Sequence, residues 1–235
     1  MREIRNIVIL TGAGISAESG LATFRGPEGL WEGHRVEDVA TPEAFARDPV
    51  LVHRFYDARR TALAGVAPNA AHEALARLDA EWPGELLIVT QNVDDLHGRA
   101  GAKRLLHMHG ELKSGWCRAC DARMAWGGEM GGAAMCPECG AAGEVRPDIV
   151  WFGEMPYHMD RIYKALMDCD LFISIGTSGN VYPAAGFVGE ALNRGAYTVE
   201  LNLEPSQMSP LFHESIPGPA GKIVPEFVER LLGKI

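Results

Sequence analysis

A doubly wound parallel α/β sheet with a smaller helical and metal-binding domain inserted is the fold this sequence predicts, on three observations. First, apolar runs of four to seven residues at 7–10, 85–90, 170–176 and 197–202 alternate with segments of helical spacing, the order of a parallel sheet. Second, the first run passes directly into Thr11-Gly12-Ala13-Gly14, the way such a sheet presents a phosphate site at its carboxyl edge. Third, four of the five cysteines form two Cys-x-x-Cys pairs, which marks a segment held by a metal rather than by a core of its own.

Taken in order, the strand at 7–10 opens the sheet. Gly12 through Gly14 to Ala17 then fits the dinucleotide fingerprint G-x-G-x-x-A, in which glycines admit a close backbone approach and the next helix's N–H groups favour negative charge. Residues 18–33 lose helical regularity and are dense in breakers, notably Gly26-Pro27-Glu28-Gly29, so a loop is expected. A standard unit supplies a second strand and a ribose-binding acid about 20 residues past the glycines. Glu37 and Asp38 stand at that distance, yet no strand leads to them. The first crossover is therefore interrupted, and the loop is expected to cover the site, with Phe24, Arg25 and Trp31 giving it order.

Thr41 reads as an N-cap with Pro42 at the first helical position, and Leu51, Val52, Phe55, Tyr56 and Leu63 continue at helical spacing. Asp48-Pro49 divides this stretch into two helices. Residues 69–79 form an amphipathic helix with Leu75 and Leu78 on one face, and 85–90 a buried strand ending in Gln91-Asn92-Val93-Asp94. A short strand is expected within 104–111, the Cys-rich module at 116–143, and a return at 149–154. The buried run at 170–176 opens into Thr177-Ser178-Gly179-Asn180 and a helix over 183–194. Residues 197–202 are expected as the last strand and 224–232 as the terminal helix. No internal repeat or low-complexity run interrupts this order.

With 235 residues, 47% of them hydrophobic, the chain buries a large core without disulfides, as one domain with an appendage or as two. Its net charge of −9 argues against a nucleic-acid grip by bulk charge and suits a basic peptide partner. The apolar run after Met1-Arg2-Glu3 is far shorter than the roughly 7–15 residues of a signal core or the roughly 20 of a membrane span. A soluble cytoplasmic protein is expected, without membrane contact, compatible with a monomer, and without appended regulatory tails.

Cys117, Cys120, Cys136 and Cys139 place two knuckles 15 residues apart, within the spacing of a four-cysteine zinc site. Four thiolates leave no open coordination position, so the zinc is expected to be structural. Arg118 and Arg123 face Asp121, Glu129 and Glu138 in that segment, which removes the basic footprint of a DNA-binding ribbon. Cys169 stands apart in an apolar context and reads as a buried structural thiol.

Read together, Gly12-Ala13-Gly14-Ile15-Ser16-Ala17-Glu18-Ser19-Gly20, Thr23-Phe24-Arg25, Thr90-Gln91-Asn92-Val93-Asp94, His107-Met108-His109-Gly110, the four cysteines, Gly176-Thr177-Ser178 and Asn202-Leu203-Glu204 resemble the sirtuins, NAD-dependent protein-lysine deacylases. The likeness runs from end to end. It implies a large Rossmann-like domain over 1–25, 66–110 and 155–235, a covering loop and helical module over 26–65, and a zinc module with its return over 111–154. NAD and acyl-lysine would meet in the cleft between them.

By the same resemblance, Gly12, Ala13, Gly14, Ser16, Ala17 and Glu18 hold the pyrophosphate end. Thr23, Phe24, Arg25 and Trp31 cover the reacting ribose. Gln91, Asn92, Val93 and Asp94 face nicotinamide and ribose, with Asn92 and Asp94 positioning the carboxamide for departure. Gly176, Thr177, Ser178, Asn202, Leu203, Glu204 and Ala220 border the adenosine, Glu204 taking the ribose role that no early acid fills. A base must then activate a ribose hydroxyl, and histidine suits it. The residues alone leave His107 and His109 open; the resemblance selects His109.

Tyr56 and Arg59 stand at i and i+3, on one helix face. Spacing alone reads them as a solvated face, and Arg60 competes for any special role. The resemblance points instead to the subgroup that removes succinyl, malonyl and glutaryl groups, with Arg59 and Tyr56 on the acyl carboxylate and small Ala40 leaving room. Val150, Trp151, Phe152 and Gly153 are expected to pair as an extended strand with the substrate backbone. The alternatives are a plain deacetylase with Arg59 in solvent, a mono-ADP-ribosyltransferase, and a non-catalytic NAD or ADP-ribose sensor.

Overall fold

The computed structural model of the chain describes residues 3–22, 33–131 and 133–233. Strand β1 (Asn6–Thr11) is buried from Ile7 onward, because its apolar side chains meet a covering layer on either face. It runs into α1 (Gly14–Ala17), a single turn. After α2 (Val36–Val39), α3 (Pro42–Arg47) starts at Thr41, whose Oγ1 accepts the Ala44 N–H at 3.0 Å. Asp48 ends that helix and caps α4 (Pro49–Ala64), accepting the Leu51 N–H at 2.9 Å. The expected division at Asp48-Pro49 is thus a cap followed by a proline that needs no donor in the first turn.

Helix α5 (Ala70–Glu81) begins at an Asn69 capping box closed by His72. Then come β2 (Glu85–Thr90), α6 (Leu96–Ala100), β3 (Leu105–His107), β4 (Gly110–Cys117), β5 (Arg123–Ala125) and β6 (Val145–Ile149). The chain closes with α7 (Met159–Met167), β7 (Leu171–Ile175), α8 (Phe187–Asn193), β8 (Tyr197–Asn202), β9 (Glu214–Pro217) and α9 (Ala220–Leu231).

Six strands form a parallel sheet in the order β3-β2-β1-β7-β8-β9. The order runs outward in opposite senses from β1, so the crevice opens beyond the carboxyl ends of β1 and β7, where a doubly wound sheet binds ligands. Alternation along β1 fills both layers. Ile7 and Ile9 pack with Leu75 of α5 and Val224 and Phe227 of α9, while Val8 and Leu10 pack with Ile162 of α7 and Phe187 of α8. A third cluster joins α3 and α4 to Leu112, Ile149 and Trp151. The antiparallel sheet β5-β4-β6 carries the cysteines.

The structure corrects three expectations. The segment 104–111 is not one strand: β3 joins the large sheet, the chain turns at Met108-His109, and Gly110 (φ +80°) starts β4 in the small one. Residues 197–202 are not the last strand, because β9 pairs along the edge; its half-exposed Glu-Ser-Ile-Pro lacks the apolar run that marks a central strand. The terminal helix starts at Ala220 rather than 224, with Pro225 inside it; proline removes one backbone bond there without ending the helix. Among the described residues, no helix is long and apolar enough to cross a membrane.

Candidate active site and metal centre

A cleft of about 720 Å³ opens at the carboxyl edge of the large sheet. It is lined by Gly12, Ala13, Gly14, Ser16, Ala17, Glu18, Gln91, Asn92, Val93, Asp94, His109, Gly176, Thr177, Ser178, Asn202, Leu203, Glu204 and Ala220. At its other end stand Ala40, Tyr56, Arg59, Val150, Trp151, Phe152 and Gly153. Every described residue expected to touch cofactor or substrate therefore borders one space. Thr23, Phe24, Arg25 and Trp31 lie outside the described residues.

The glycines are required by a backbone crossing. A Cβ on Gly12 would stand 2.8 Å from the Gly176 carbonyl oxygen, and one on Gly14 2.7 Å from the Gly176 Cα. Gly176 itself has φ +61°, and its Cβ would meet the Ile15 nitrogen at 2.5 Å. The Gly12 and Gly14 N–H groups donate to Ile175 and Gly176 carbonyls at 2.9 and 2.8 Å. The expected helix N-terminus also shrinks to one turn, too short for a macrodipole of any size. Gly176→Ala should lower stability by roughly 2–4 kcal/mol through strain and overpacking; thermal unfolding checks this, and an unchanged melting temperature would refute the crossing argument.

Behind the glycines lies a saturated polar floor. Ser16 Oγ donates to Asp94 Oδ2 at 3.0 Å and accepts from Asn92 Nδ2 at 3.1 Å. His72 Nδ1 accepts the Asn69 N–H at 3.3 Å, which leaves its Nε2–H to donate to Ser16 Oγ at 3.4 Å. One donor and two acceptors exhaust a hydroxyl. Ser16 thus fixes Asn92 and Asp94, and Asn92 also donates to the Gly12 carbonyl at 3.1 Å. Asp94 Oδ1 takes the Leu96 N–H at 3.1 Å; burial pushes its carboxyl pKa upward against those bonds.

His72 and His97 are not among the expected site residues. Their rings meet edge to face at 4.9 Å, and His97 Nε2 pairs with Thr11 Oγ1 at 3.0 Å. Burial lowers His72 to about 4 and His97 well below its ordinary value, so both are neutral. His72 sits in an Ala- and Leu-rich helical segment, where a histidine reads as core, and its only signal is the Asn69-x-x-His72 spacing of a capping box; His97, in Asp94-Asp95-Leu96-His97-Gly98-Arg99, reads as a surface residue.

The two histidine candidates separate here. His107 Nδ1 donates to the Asn92 carbonyl at 3.2 Å, and His109 Nδ1 to the Gln91 carbonyl at 3.1 Å. Since a carbonyl only accepts, Nδ1 carries the proton in each neutral ring and the lone pair sits on Nε2. Of the two, only His109 borders the cleft. Burial lowers its pKa, partly offset by the bond to Gln91.

At the far end, Tyr56 is fully buried and its Oη accepts the Trp151 Nε1–H at 2.9 Å. Arg59 extends into the cleft with its guanidinium 5.7 Å from the Phe55 ring centre. Arg60, by contrast, is buried against Asp57 and donates to the Leu112 carbonyl at 3.1 Å. Of the two arginines, Arg59 borders the cleft and Arg60 does not.

Residues 150–153, expected to pair with a substrate backbone, lie outside the strands of the protein itself. Strand β6 stops at Ile149, and Glu154 N–H returns to the Trp151 carbonyl at 2.9 Å around Gly153 (φ +91°). Val150 and Phe152 N–H donate to the His109 and Ala40 carbonyls at 2.9 and 3.0 Å, and Trp151 N–H to Glu154 Oε2 at 2.8 Å. Those three donors are spent inside the protein.

At the opposite end, Asn202 Nδ2 donates to the Thr177 carbonyl at 2.8 Å and Gln91 Nε2 to Thr177 Oγ1 at 3.2 Å, tying three strand ends together. Glu18 accepts the Gly221 N–H at 2.9 Å, so it caps α9 beside Ala220. Glu204 is exposed at the rim.

The cysteine cluster is separate from the cleft. The four Sγ atoms lie within 4.8 Å of one another. Cys117–Cys139 and Cys120–Cys136 are both 3.8 Å apart, matching the edge of about 3.8 Å that Zn–S bonds of about 2.3 Å give a tetrahedron. Each knuckle closes alike: Asp121 N–H to the Cys117 carbonyl and Gly140 N–H to the Cys136 carbonyl, both at 2.9 Å, with positive φ at Asp121 and Gly140. Cys169 is buried away from them, its thiol pushed up to about 12 by burial.

A model of the Sir2 family matches residues 12–183. An NAD-dependent protein deacylase of Bdellovibrio bacteriovorus is 58% identical over 234 residues, covering 99% of each chain. A solved Sir2 homolog–NAD complex superposes with a TM-score of 0.89 at 38% identity, covering 99% of this chain and 91% of that one. A structure described as Sir2–p53 peptide–NAD+ gives 0.79 at 28% identity, covering 99% and 94%.

Proposed function

The chain belongs to the Sir2 family, and from that premise we propose that it removes short acidic acyl groups, succinyl and malonyl, as well as acetyl, from protein lysines. NAD-dependent protein deacylation is the activity carried by relatives that match it over nearly its whole length. NAD enters as co-substrate and supplies the glycosidic bond that breaks. With one water consumed, the products are the free lysine amine, nicotinamide and 2′-O-acyl-ADP-ribose. The cysteine cluster holds one structural zinc.

The residues divide the work. The buried carboxyl of Asp94 and the amide of Asn92, both held by Ser16, orient the carboxamide that leaves. His109 Nε2 takes the proton from a ribose hydroxyl, its tautomer set by the Gln91 carbonyl. Gln91, Thr177 and Asn202 hold three strand ends at fixed spacing, and Glu204 at the rim takes the adenosine ribose. With the donors of Val150, Trp151 and Phe152 spent and the Trp151 carbonyl taken by Glu154, the carbonyls of Val150 and Phe152 are the groups that meet an acyl-lysine segment.

The acidic-acyl preference rests on one observation: Arg59 shares the cleft with Tyr56 and Ala40 while Arg60 is tied to Asp57. A guanidinium makes charge-assisted bonds to a carboxylate that it cannot make to acetyl. Losing such a bond costs about 1.5–3 kcal/mol. Arg59→Met should therefore lower kcat/KM on a succinyl-lysine peptide about 10- to 100-fold and leave the acetyl peptide within about threefold. Equal losses on paired peptides would remove the preference and leave a plain deacetylase.

A further inference from the structure

Trp151 is the wall on which Tyr56 leans, and the wall itself is held from behind. Arg146 is buried, its side chain 5% exposed, with the guanidinium carbon 3.4 Å from the Trp151 ring centre and 4.9 Å from the Trp116 ring centre, over both rings. A guanidinium lying over two indoles gains both dispersion and attraction to the ring faces. Its charge is met in the plane by Glu154: Arg146 Nη1 donates to Oε1 at 2.7 Å and Nη2 to Oε2 at 2.9 Å. Nη2 also donates to the Ile149 carbonyl at 2.7 Å. The same Glu154 Oε2 accepts the Trp151 backbone N–H at 2.8 Å. Both the backbone and the ring of Trp151 are thus fixed to one ion pair, and the indole N–H reaches Tyr56 Oη at 2.9 Å.

We infer that Arg146 is a positioning residue for the acyl end of the cleft, holding Trp151 and through it Tyr56 in register with Arg59. The inference rests on the acyl site proposed above, although the pocket wall it describes would serve any acyl chain. Arg146 touches neither reacting atoms nor the nucleotide end, so its effect should fall on acyl-peptide binding alone. The paired charge is fully compensated in place, and removing one partner leaves the other buried and unmatched. The informative substitution therefore keeps the charge and removes the plane: lysine cannot stack over two rings or donate in a bidentate fork.

In purified enzyme with its zinc bound, Arg146→Lys should raise the KM for both succinyl and acetyl peptides about 5- to 20-fold, with the KM for NAD and kcat within about twofold. Zinc content and melting temperature are measured on the same samples. If Arg146→Lys does not yield folded protein, Trp116→Phe, which keeps the Arg146–Glu154 pair and shrinks one of the two rings under the guanidinium, should show the same KM split at smaller amplitude. An unchanged peptide KM, or a joint change in both KM values and kcat that tracks the melting temperature, overturns the inference. Failure of the acidic-acyl reading looks different: Arg59→Met then acts equally on both peptides while the Arg146→Lys split persists.

Discussion

Replacing His109 by asparagine should lower kcat/KM on any acyl-lysine peptide by about 10²- to 10⁴-fold, the range supplied by a positioned general base. Asparagine retains a donor for the Gln91 carbonyl, which His109 Nδ1 contacts at 3.1 Å, so the turn before Gly110 stays closed and binding of ADP-ribose, measured by calorimetry, should change little. His107→Asn is the matched control, since that ring bonds the Asn92 carbonyl without bordering the cleft. The pH profile offers a second check. Burial lowers the His109 pKa below its ordinary value of 6.5, and the base form exists above the pKa. The acid limb of kcat/KM should therefore fall below pH 6.5, and the His109→Asn enzyme should lose that limb. A loss under about tenfold with the limb intact would remove His109 from the role of base.

What the sequence made legible were features whose physics is local. A strand running into glycines, an aspartate before a proline, and two cysteine knuckles at a fixed spacing each depend on a few neighbouring residues, and the structure has all three. The site is less local, and its meaning changed accordingly. Gly12 and Gly14 fit a phosphate fingerprint, yet their tightest constraint is Gly176, more than 160 residues away. Ser16 is expected at the pyrophosphate, yet its hydroxyl is exhausted by Asp94, Asn92 and His72. His72 looks like a core histidine and His97 like a surface one, yet both are core; only packing reveals that their layer supports the floor of the cleft. The edge strand β9 and the turn at 150–154 escaped for a related reason. An edge strand needs no apolar alternation, and the turn joins a positive-φ Gly153 to a bond from the Trp151 N–H to the Glu154 carboxylate, which the apolar run before it conceals.

The zinc should matter to the cleft although it touches none of it. Stripping the metal should remove a contribution of about 10–16 kcal/mol to folding of that segment, as large as the roughly 5–15 kcal/mol that stabilises a whole domain. Leu112 and Ile149 pack one end of the small sheet on α3 and α4, but among the described residues little else holds the cysteine end. Its buried cluster consists of Cys117, Met130, Cys136 and Val145, so two of its four members are themselves ligands. Strand β4 runs from Gly110, next to His109, to Cys117 with a register shift between Gly110 and Gly115, and β6, paired to it, ends at Ile149, two residues before Trp151. Loosening the knuckles therefore frees both ends of the wall that carries Trp151 and the turn that aims His109. The six-stranded sheet has its own two-sided core and should survive. Chelation is then expected to abolish deacylation and expose the Cys segment to protease while most of the far-ultraviolet dichroism remains. Metal release, followed with a colorimetric zinc indicator, should run in step with loss of activity. Full activity in protein stripped to under about a tenth of a zinc per chain would show that the sheet holds without it, contrary to the energy assigned to the site.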